Sequence, residues 1–297
     1  MKTEITKIQR FSAHDGDGIS TTVFFRGCPL KCFWCHNPET ANNAPVFFYT
    51  PELCISCKEC ENVCERGAHT FSSGEHEIQR ERCAGCFACI EACPSNALER
   101  CAYTLDTEEI METVLRDRSF YSFGGGLTLS GGEPMYQAEA AFALLRAAGR
   151  EGIRRAVETS GVFPKEYIMQ LSKNSELLLW DIKDTNEKRL FENTGAHLDM
   201  ILENLYAADS FGCKTELRCI MINGVNMEST ALSAIAEIYK QLKHCRGVRL
   251  IPYHPYGLSK SVRLSEKSRG GKELVPSKAS LDRAKRFLSS LGVRIMN

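Results

Sequence analysis

Cys28, Cys32 and Cys35 follow the spacing C-x3-C-x2-C inside the stretch R-G-C-P-L-K-C-F-W-C-H-N-P-E, from Arg26 to Glu39. Three thiolates this close can hold one metal centre, and a fourth protein ligand is not obvious nearby. An iron–sulfur cluster with three protein ligands leaves one iron open, and an open position serves chemistry rather than structure. The alternative is a structural zinc knuckle with His36 as fourth ligand. His36 directly follows Cys35 in the chain, which is awkward for closing a tetrahedron around one ion.

Two further runs follow. Cys54-x2-Cys57-x2-Cys60-x3-Cys64 is repeated as Cys83-x2-Cys86-x2-Cys89-x3-Cys93, with Pro94 after the second run and Glu65 after the first. This internal repeat resembles the bacterial two-cluster ferredoxin, in which three cysteines of one run and the last of the other share a 4Fe–4S cluster. The resemblance implies one set of Cys54, Cys57, Cys60 and Cys93 and another of Cys83, Cys86, Cys89 and Cys64. A zinc-binding double knuckle is the competing reading, against which the doubled four-cysteine spacing counts. About fifty residues with few large apolar groups build little core, so metal centres are expected to hold this module together. Of 15 cysteines, Cys101, Cys213, Cys219 and Cys245 show no ligand spacing. They are expected as small buried hydrophobes.

Other residues carry chemistry more weakly. In Gly131-Gly132-Glu133-Pro134 the paired glycines allow close backbone approach, and Glu133 can accept from an ammonium group; a plain strand-to-helix turn is the bland reading. Asp181 and Lys183 stand two apart at the end of the apolar run Leu177 to Trp180, so they share a face. Two charges there are costly unless they pair or bind something. Arg218 suits a ligand or a nearby carboxylate equally. His254, between Tyr253 and Pro255, reads by itself as an ordinary packed histidine.

These residues must be positioned by the surrounding elements. Strands are expected at Thr21–Phe25, Leu127–Leu129, Arg154–Val157, Leu177–Lys183, Lys214–Ile222 and Gly247–Tyr253, with helical patterns between most of them. Strands alternating with helices imply parallel pairing through right-handed crossovers. Six such units fall short of an eight-unit barrel, so the expected class is α/β, a partial (β/α)6 TIM-like barrel with an inserted ferredoxin-like domain. Residues 1–48 and 103–297 form the barrel and 49–102 the insert. Each motif above falls at or near the carboxyl end of a strand, where such folds gather their chemistry. The basic segment Lys260 to Arg286 reads as a solvated loop. Zero formal net charge argues against a nucleic-acid protein. No apolar run approaches bilayer length, and Met1 to Arg10 lacks a signal-peptide core, so a cytoplasmic location is expected.

With these residues in place, the chain resembles the radical S-adenosylmethionine (radical SAM) enzymes. More narrowly, it is similar to the activating enzymes of glycyl radical enzymes that carry an inserted ferredoxin-like domain. The supports are His14-Asp15-Gly16, the Cys28 run with Trp34 and Asn37-Pro38-Glu39, the two ferredoxin-like runs, Gly131 to Pro134, Asp181-x-Lys183, and Pro252-Tyr253-His254-x2-Gly257-x2-Lys260. The resemblance implies three 4Fe–4S clusters. It implies S-adenosylmethionine chelated to the open iron and cleaved by one electron to methionine and a 5′-deoxyadenosyl radical, which takes a hydrogen from one glycine of a partner enzyme. Gly131, Gly132 and Glu133 would receive the methionyl amino end, and Lys183 the carboxylate. Phe33 and Trp34 would meet adenine, and Arg218 and His254 would lie near the cofactor. Asp15 would grip the glycine-bearing loop, and Glu158, Thr159 and Asp181 would form a monovalent-cation site. The partners implied are a glycyl radical enzyme and an external donor such as flavodoxin or ferredoxin, with no nucleic acid and no membrane. The sequence departs from the family loop Asp-Gly-Pro-Gly-Ile-Arg at Asp17 and Ser20, and lacks the usual proline and aspartate in Asn223 to Met227. A radical SAM enzyme acting on another substrate, and a non-catalytic ferredoxin-type carrier, are the alternatives.

Overall fold

The computed structural model describes residues 1–13, 16–41, 47–266 and 270–296. Its strands are β1 (Lys2–Ser12), β2 (Ser20–Phe25), β3 (Phe47–Tyr49), β4 (His69–Ser72), β5 (Glu75–Ile78), β6 (Leu98–Arg100), β7 (Tyr103–Asp106), β8 (Gly126–Gly131), β9 (Arg154–Thr159), β10 (Leu177–Ile182), β11 (Thr215–Met221) and β12 (Cys245–Pro252). The helices are α1 (Glu59–Asn62), α2 (Ala88–Glu91), α3 (Thr107–Arg116), α4 (Ala138–Arg150), α5 (Tyr167–Asn174), α6 (Glu187–Thr194), α7 (Leu198–Ser210), α8 (Ser229–Gln241), α9 (Gly257–Arg263) and α10 (Lys278–Ser290).

One eight-stranded sheet runs β12-β11-β10-β9-β8-β2-β1-β7. From β2 to β12 the six strands are parallel, as the alternation of strand and helix requires; β1 and β7 extend that sheet antiparallel. A mainly parallel central sheet of six strands is the partial barrel expected from the sequence. Strand β10 reads Leu-Leu-Leu-Trp, fully buried, because helices cover one face and the barrel interior the other. Trp180 is completely enclosed in the main core, its ring tilted against Phe163 with centroids 6.3 Å apart. Helix α3 buries Ile110, Met111 and Val114, and begins where the Glu109 carboxylate accepts from the Asp106 N–H at 2.8 Å.

The elements not expected from sequence share a cause. Met1 to Arg10 is mixed and charged, yet β1 alternates, with Thr3 and Ile5 buried and Lys2, Glu4 and Lys7 outward. Half-exposed strands and α6, whose surface is mostly charged, lack the apolar run that marks a buried element. The basic segment from Lys260 is only partly the expected solvated loop. α9 and α10 take up about half of it, and Lys272, Lys278, Arg283 and Arg286 are exposed, but two of its cations turn inward: Lys260 Nζ lies 2.6 Å from Glu39, and Arg263 bonds Glu99 and Thr50 at 2.6 and 2.9 Å.

Between β2 and β7 the chain makes two small antiparallel ribbons, β3 with β6 and β4 with β5, and two single helical turns, α1 and α2. Its core is Phe47, Cys60, Cys89 and Leu98. The Arg80 guanidinium fastens this unit to the barrel by donating to the carbonyls of Phe47 and Arg263, at 2.7 and 3.0 Å. Phe48, Cys101 and Leu264 pack beside it. Cys101, Cys213 and Cys219 are buried as expected, and Cys245 partly so.

Candidate active site and cysteine centres

At the carboxyl rim of the six parallel strands lies a cavity of about 630 Å³, in the range of small-molecule sites. Cys28, Cys32, Trp34, Cys35, Gly131, Gly132, Glu158, Thr159, Asp181, Lys183, Arg218 and His254 all line it. The parallel register makes this convergence: Phe25 pairs with Gly131, Leu129 with Val157, Trp180 with Thr159, and Asp181 with Arg218, so successive strand ends reach one level. Phe33 and Glu133 do not line the cavity. Asp15 and its neighbour His14 fall outside the described residues.

The cysteine loop is seated by backbone contacts that only glycine permits. Gly131 has φ 105°, and a Cβ there would sit 2.5 Å from the Phe25 nitrogen; one on Gly132 would sit 2.2 Å from the Gly27 carbonyl. The Gly132 N–H donates to Phe25 O at 2.8 Å and the Glu133 N–H to Gly27 O at 2.9 Å. The paired glycines therefore let the β8 turn close on the Cys28 loop. From the other side, Lys260 donates to Asn37 and Glu39 at 2.9 and 2.6 Å, tying the far end of the loop to α9.

Glu133, expected at an ammonium group, commits its carboxylate to protein. It is fully buried and accepts from Thr159 Oγ1, from the N–H and hydroxyl of Ser160 at 2.9 and 2.7 Å, and from the Met135 N–H. Burial pushes its carboxyl up against the pull of these donors. The Phe33 N–H likewise bonds the Asn193 carbonyl.

The charged part of the wall is a four-membered network. Lys183 Nζ lies 2.7 Å from Asp181, while Arg218 spans Glu158 and Asp181 at 3.3 and 3.7 Å. Ser130 donates to Glu158 at 2.6 Å. Burial lowers the Lys183 ammonium, but Asp181, Cys32 and Glu158 outweigh it and hold the group above its ordinary range. Lys183 is thus a fixed cation facing Cys32.

Burial pushes all three thiols up, Cys28 to about 12. They keep their protons until a metal takes the protons' place. Among the described residues, only Cys60, His69 and His76 bring three potential ligand atoms within 4.8 Å of one another. Cys28, Cys32, Cys35 and His36 are spread more widely than one tetrahedral ion needs, which disfavours the zinc knuckle. The His36 ring instead packs edge-on against His254, centroids 4.4 Å apart.

In the insert, a small cavity is lined by Cys54, Cys57, Cys60 and Cys93, three cysteines of the first run and the last of the second. Burial raises the Cys89 thiol to about 12, with Cys83, Cys64, Cys60 and Cys86 adding to it. His69 and His76 were not singled out from the sequence. The repeated cysteine spacing draws attention to sulfur, and the two histidines are paired only by the β4–β5 ribbon. The roles of Ser130 and Ser160 exist only across strands.

Residues 22–233 match the radical SAM superfamily. The chain is 37% identical to the choline trimethylamine-lyase activating enzyme of Oleidesulfovibrio alaskensis, covering 89% of this chain and 87% of that one. It is 36% identical to the isethionate sulfite-lyase activating enzyme of Desulfovibrio desulfuricans, over 98% and 96%. It is 33% identical to the trans-4-hydroxy-L-proline dehydratase activating enzyme of Clostridioides difficile, over 98% and 97%. The crystal structure of a domain of pyruvate-formate lyase-activating enzyme from Bacteroides vulgatus aligns with a TM-score of 0.50 at 26% identity, covering 58% of this chain and 98% of that one.

Proposed function

Because this chain belongs to the radical SAM superfamily, and within it to the activating enzymes of glycyl radical enzymes, we propose that the residues of its rim cavity divide the work of activation as follows. Cys28, Cys32 and Cys35 would hold a 4Fe–4S cluster, which would supply the one electron for reductive cleavage of S-adenosylmethionine and hence for removal of a hydrogen atom from a glycine of the partner enzyme. Lys183 binds the methionyl carboxylate as a fixed cation. The turn at Gly131 and Gly132 meets the amino group, and Glu133 acts through that turn by holding it against Ser160. Trp34 flanks the adenine, with Phe33 outside the cavity and edge-on against the Trp34 ring at 4.7 Å. His254 and Arg218 border the cofactor and the entering peptide. Enclosure at the rim keeps water from a reactive radical.

The observation that carries this reading is the convergence of three thiols, the glycine turn and the Asp181–Lys183 pair on one cavity of about 630 Å³. Glu158, Thr159 and Asp181 would supply oxygens to a monovalent cation, for which Arg218 competes by spanning the same two carboxylates. Residues 49–102 would act as a ferredoxin-like domain. Cys54, Cys57, Cys60 and Cys93 would hold one cluster and Cys64, Cys83, Cys86 and Cys89 the other, relaying electrons from a flavodoxin or ferredoxin. Asp15 would contact the glycine-bearing loop, and the reaction would take place in the cytoplasm.

The test is anaerobic reconstitution with a candidate glycyl radical enzyme, followed by electron paramagnetic resonance and assay of 5′-deoxyadenosine. The expected result is a glycyl radical signal with stoichiometric 5′-deoxyadenosine, both lost in Cys32→Ala. Cofactor cleavage that survives Cys32→Ala would sink the assignment.

A further inference from the structure

The two halves of the insert are related by a 29-residue step that carries Cys54, Cys57, Cys60 and Cys64 onto Cys83, Cys86, Cys89 and Cys93. The same step carries β3 onto β5 and β4 onto β6. It also carries the left-handed backbone of Ser56, Lys58 and Gly67 onto that of Gly85, Phe87 and Asn96. The repeat breaks at two side chains. His76 in β5 answers to Phe47 in β3, and His69 in β4 answers to Leu98 in β6. One cysteine set therefore has an imidazole pair where the other has hydrocarbon.

His76 is rigidly held. Its ring stacks on Phe71 with centroids 4.5 Å apart and planes 6° apart, and Tyr49 meets it edge-on at 4.8 Å. It lines the cavity of Cys54, Cys57, Cys60 and Cys93. Its Nε2 lies 3.6 Å from Cys60 Sγ and 2.9 Å from His69 Nδ1. A cysteine that ligates iron is a thiolate and can only accept. For Cys60 to have a partner here, His76 Nε2 must carry the hydrogen, and His69 Nδ1 must accept a share of it. The buried Nδ1 of His76 has no hydrogen-bond partner. That fits a bare nitrogen better than an orphaned N–H, the costlier of the two.

We propose that His76 sets a redox potential: its Nε2–H, donated to Cys60 Sγ, stabilises the reduced state of the cluster at Cys54, Cys57, Cys60 and Cys93 and places its potential above that of the other insert cluster. His69 moderates the effect by sharing the hydrogen. An electron entering the insert then rests preferentially on the histidine side, so the two halves are a reservoir and a relay rather than duplicates. This rests on the reading of the insert as a two-cluster carrier.

The test uses the full chain, reconstituted anaerobically, with iron counted and each cluster titrated by electron paramagnetic resonance. His76→Phe, which installs the counterpart residue Phe47, is expected to weaken reduction of the higher-potential insert cluster about tenfold, or 59 mV for one electron. His69→Leu, which returns the whole hydrogen to sulfur, is expected to move the same potential upward. Shifts of the same sign in both variants, or none in His76→Phe, overturn the proposal. The wild-type protein provides a readout that needs no variant: ¹⁵N-histidine labelling is expected to produce a weak nitrogen coupling on one insert cluster signal, and its absence overturns the proposal. About twelve irons per chain support the carrier reading; about four overturn that reading itself, before any potential is measured.

Discussion

In the barrel, the three cysteines hang from a strand whose sheet buries Trp180, Leu127, Leu129 and Leu217 under a layer of helices. In the insert, eight cysteines hang from strands of three or four residues around a core of Phe47, Cys60, Cys89 and Leu98, two of which are themselves cysteines. A barrel of that kind stands on apolar burial and can hold a metal loop ready. A unit with so small a core does not by itself offset the ordering of about fifty residues, and the clusters proposed at its eight cysteines would supply what the core lacks. The left-handed backbone at Lys58 and Phe87, both non-glycine, points the same way: such conformations persist where the surroundings over-determine them. The lesson is that the same residue type is set on a scaffold that apolar burial builds at one site, and in a unit with almost no apolar core at the other.

The largest effect that could break this contrast is iron removal. Chelation is expected to abolish amide-exchange protection across the insert while β8 to β11 stay protected. Insert amides that remain protected without iron would show a self-supporting fold there. Next, Trp180→Ala should cost the barrel about 3–5 kcal/mol in denaturant unfolding, with the visible spectra of the insert clusters unchanged at low denaturant. Coupled loss of both would make the two units one cooperative body. Lys183→Met should weaken S-adenosylmethionine binding by roughly 10–100-fold in calorimetry, the value of a charge-assisted hydrogen bond, without altering the iron content.

The smallest effect concerns acid. Burial raises the Asp117 carboxyl, but hydrogen bonds from Arg10 and Thr21 outweigh it and hold the group below its ordinary value. A depressed folded value means the stabilisation is complete above the unfolded value of 3.8 and is lost as pH falls through the folded one. Asp117→Asn should therefore lower barrel stability by about 1–2 kcal/mol at neutral pH, with the difference from wild type shrinking below pH 4. No such shrinkage in a pH series of unfolding curves would mean that Arg10 and Thr21 contribute through packing alone.

Much of the site was legible because its chemistry is local. Cysteine spacings lie within a few residues, and β10 announces itself as a buried parallel strand by its unbroken apolar run. β1 and β7 were not, since β1 alternates exposed charges with single buried residues and β7, at the sheet edge, has only four residues and none fully buried. Glu133 was legible as a special residue but not in its role: only the approach of β9 reveals that Thr159 and Ser160 absorb its carboxylate. Asp17, a departure from the family loop, joins Arg154 and Arg246 at 2.8 and 2.7 Å, linking β9 to the edge strand β12.

The amino-acid sequence by itself determined the cysteine spacings, the class of fold and the strand ends that meet at one rim, because residue spacing and hydrophobic periodicity are properties of neighbouring residues. Tertiary structure alone decided which groups face each other. The glycines serve the meeting of two backbones, Arg218 spans two carboxylates on neighbouring strands, and an imidazole pair marks one half of a repeated module. Such pairings depend on strand register and sheet order, which bring together residues tens to hundreds of positions apart.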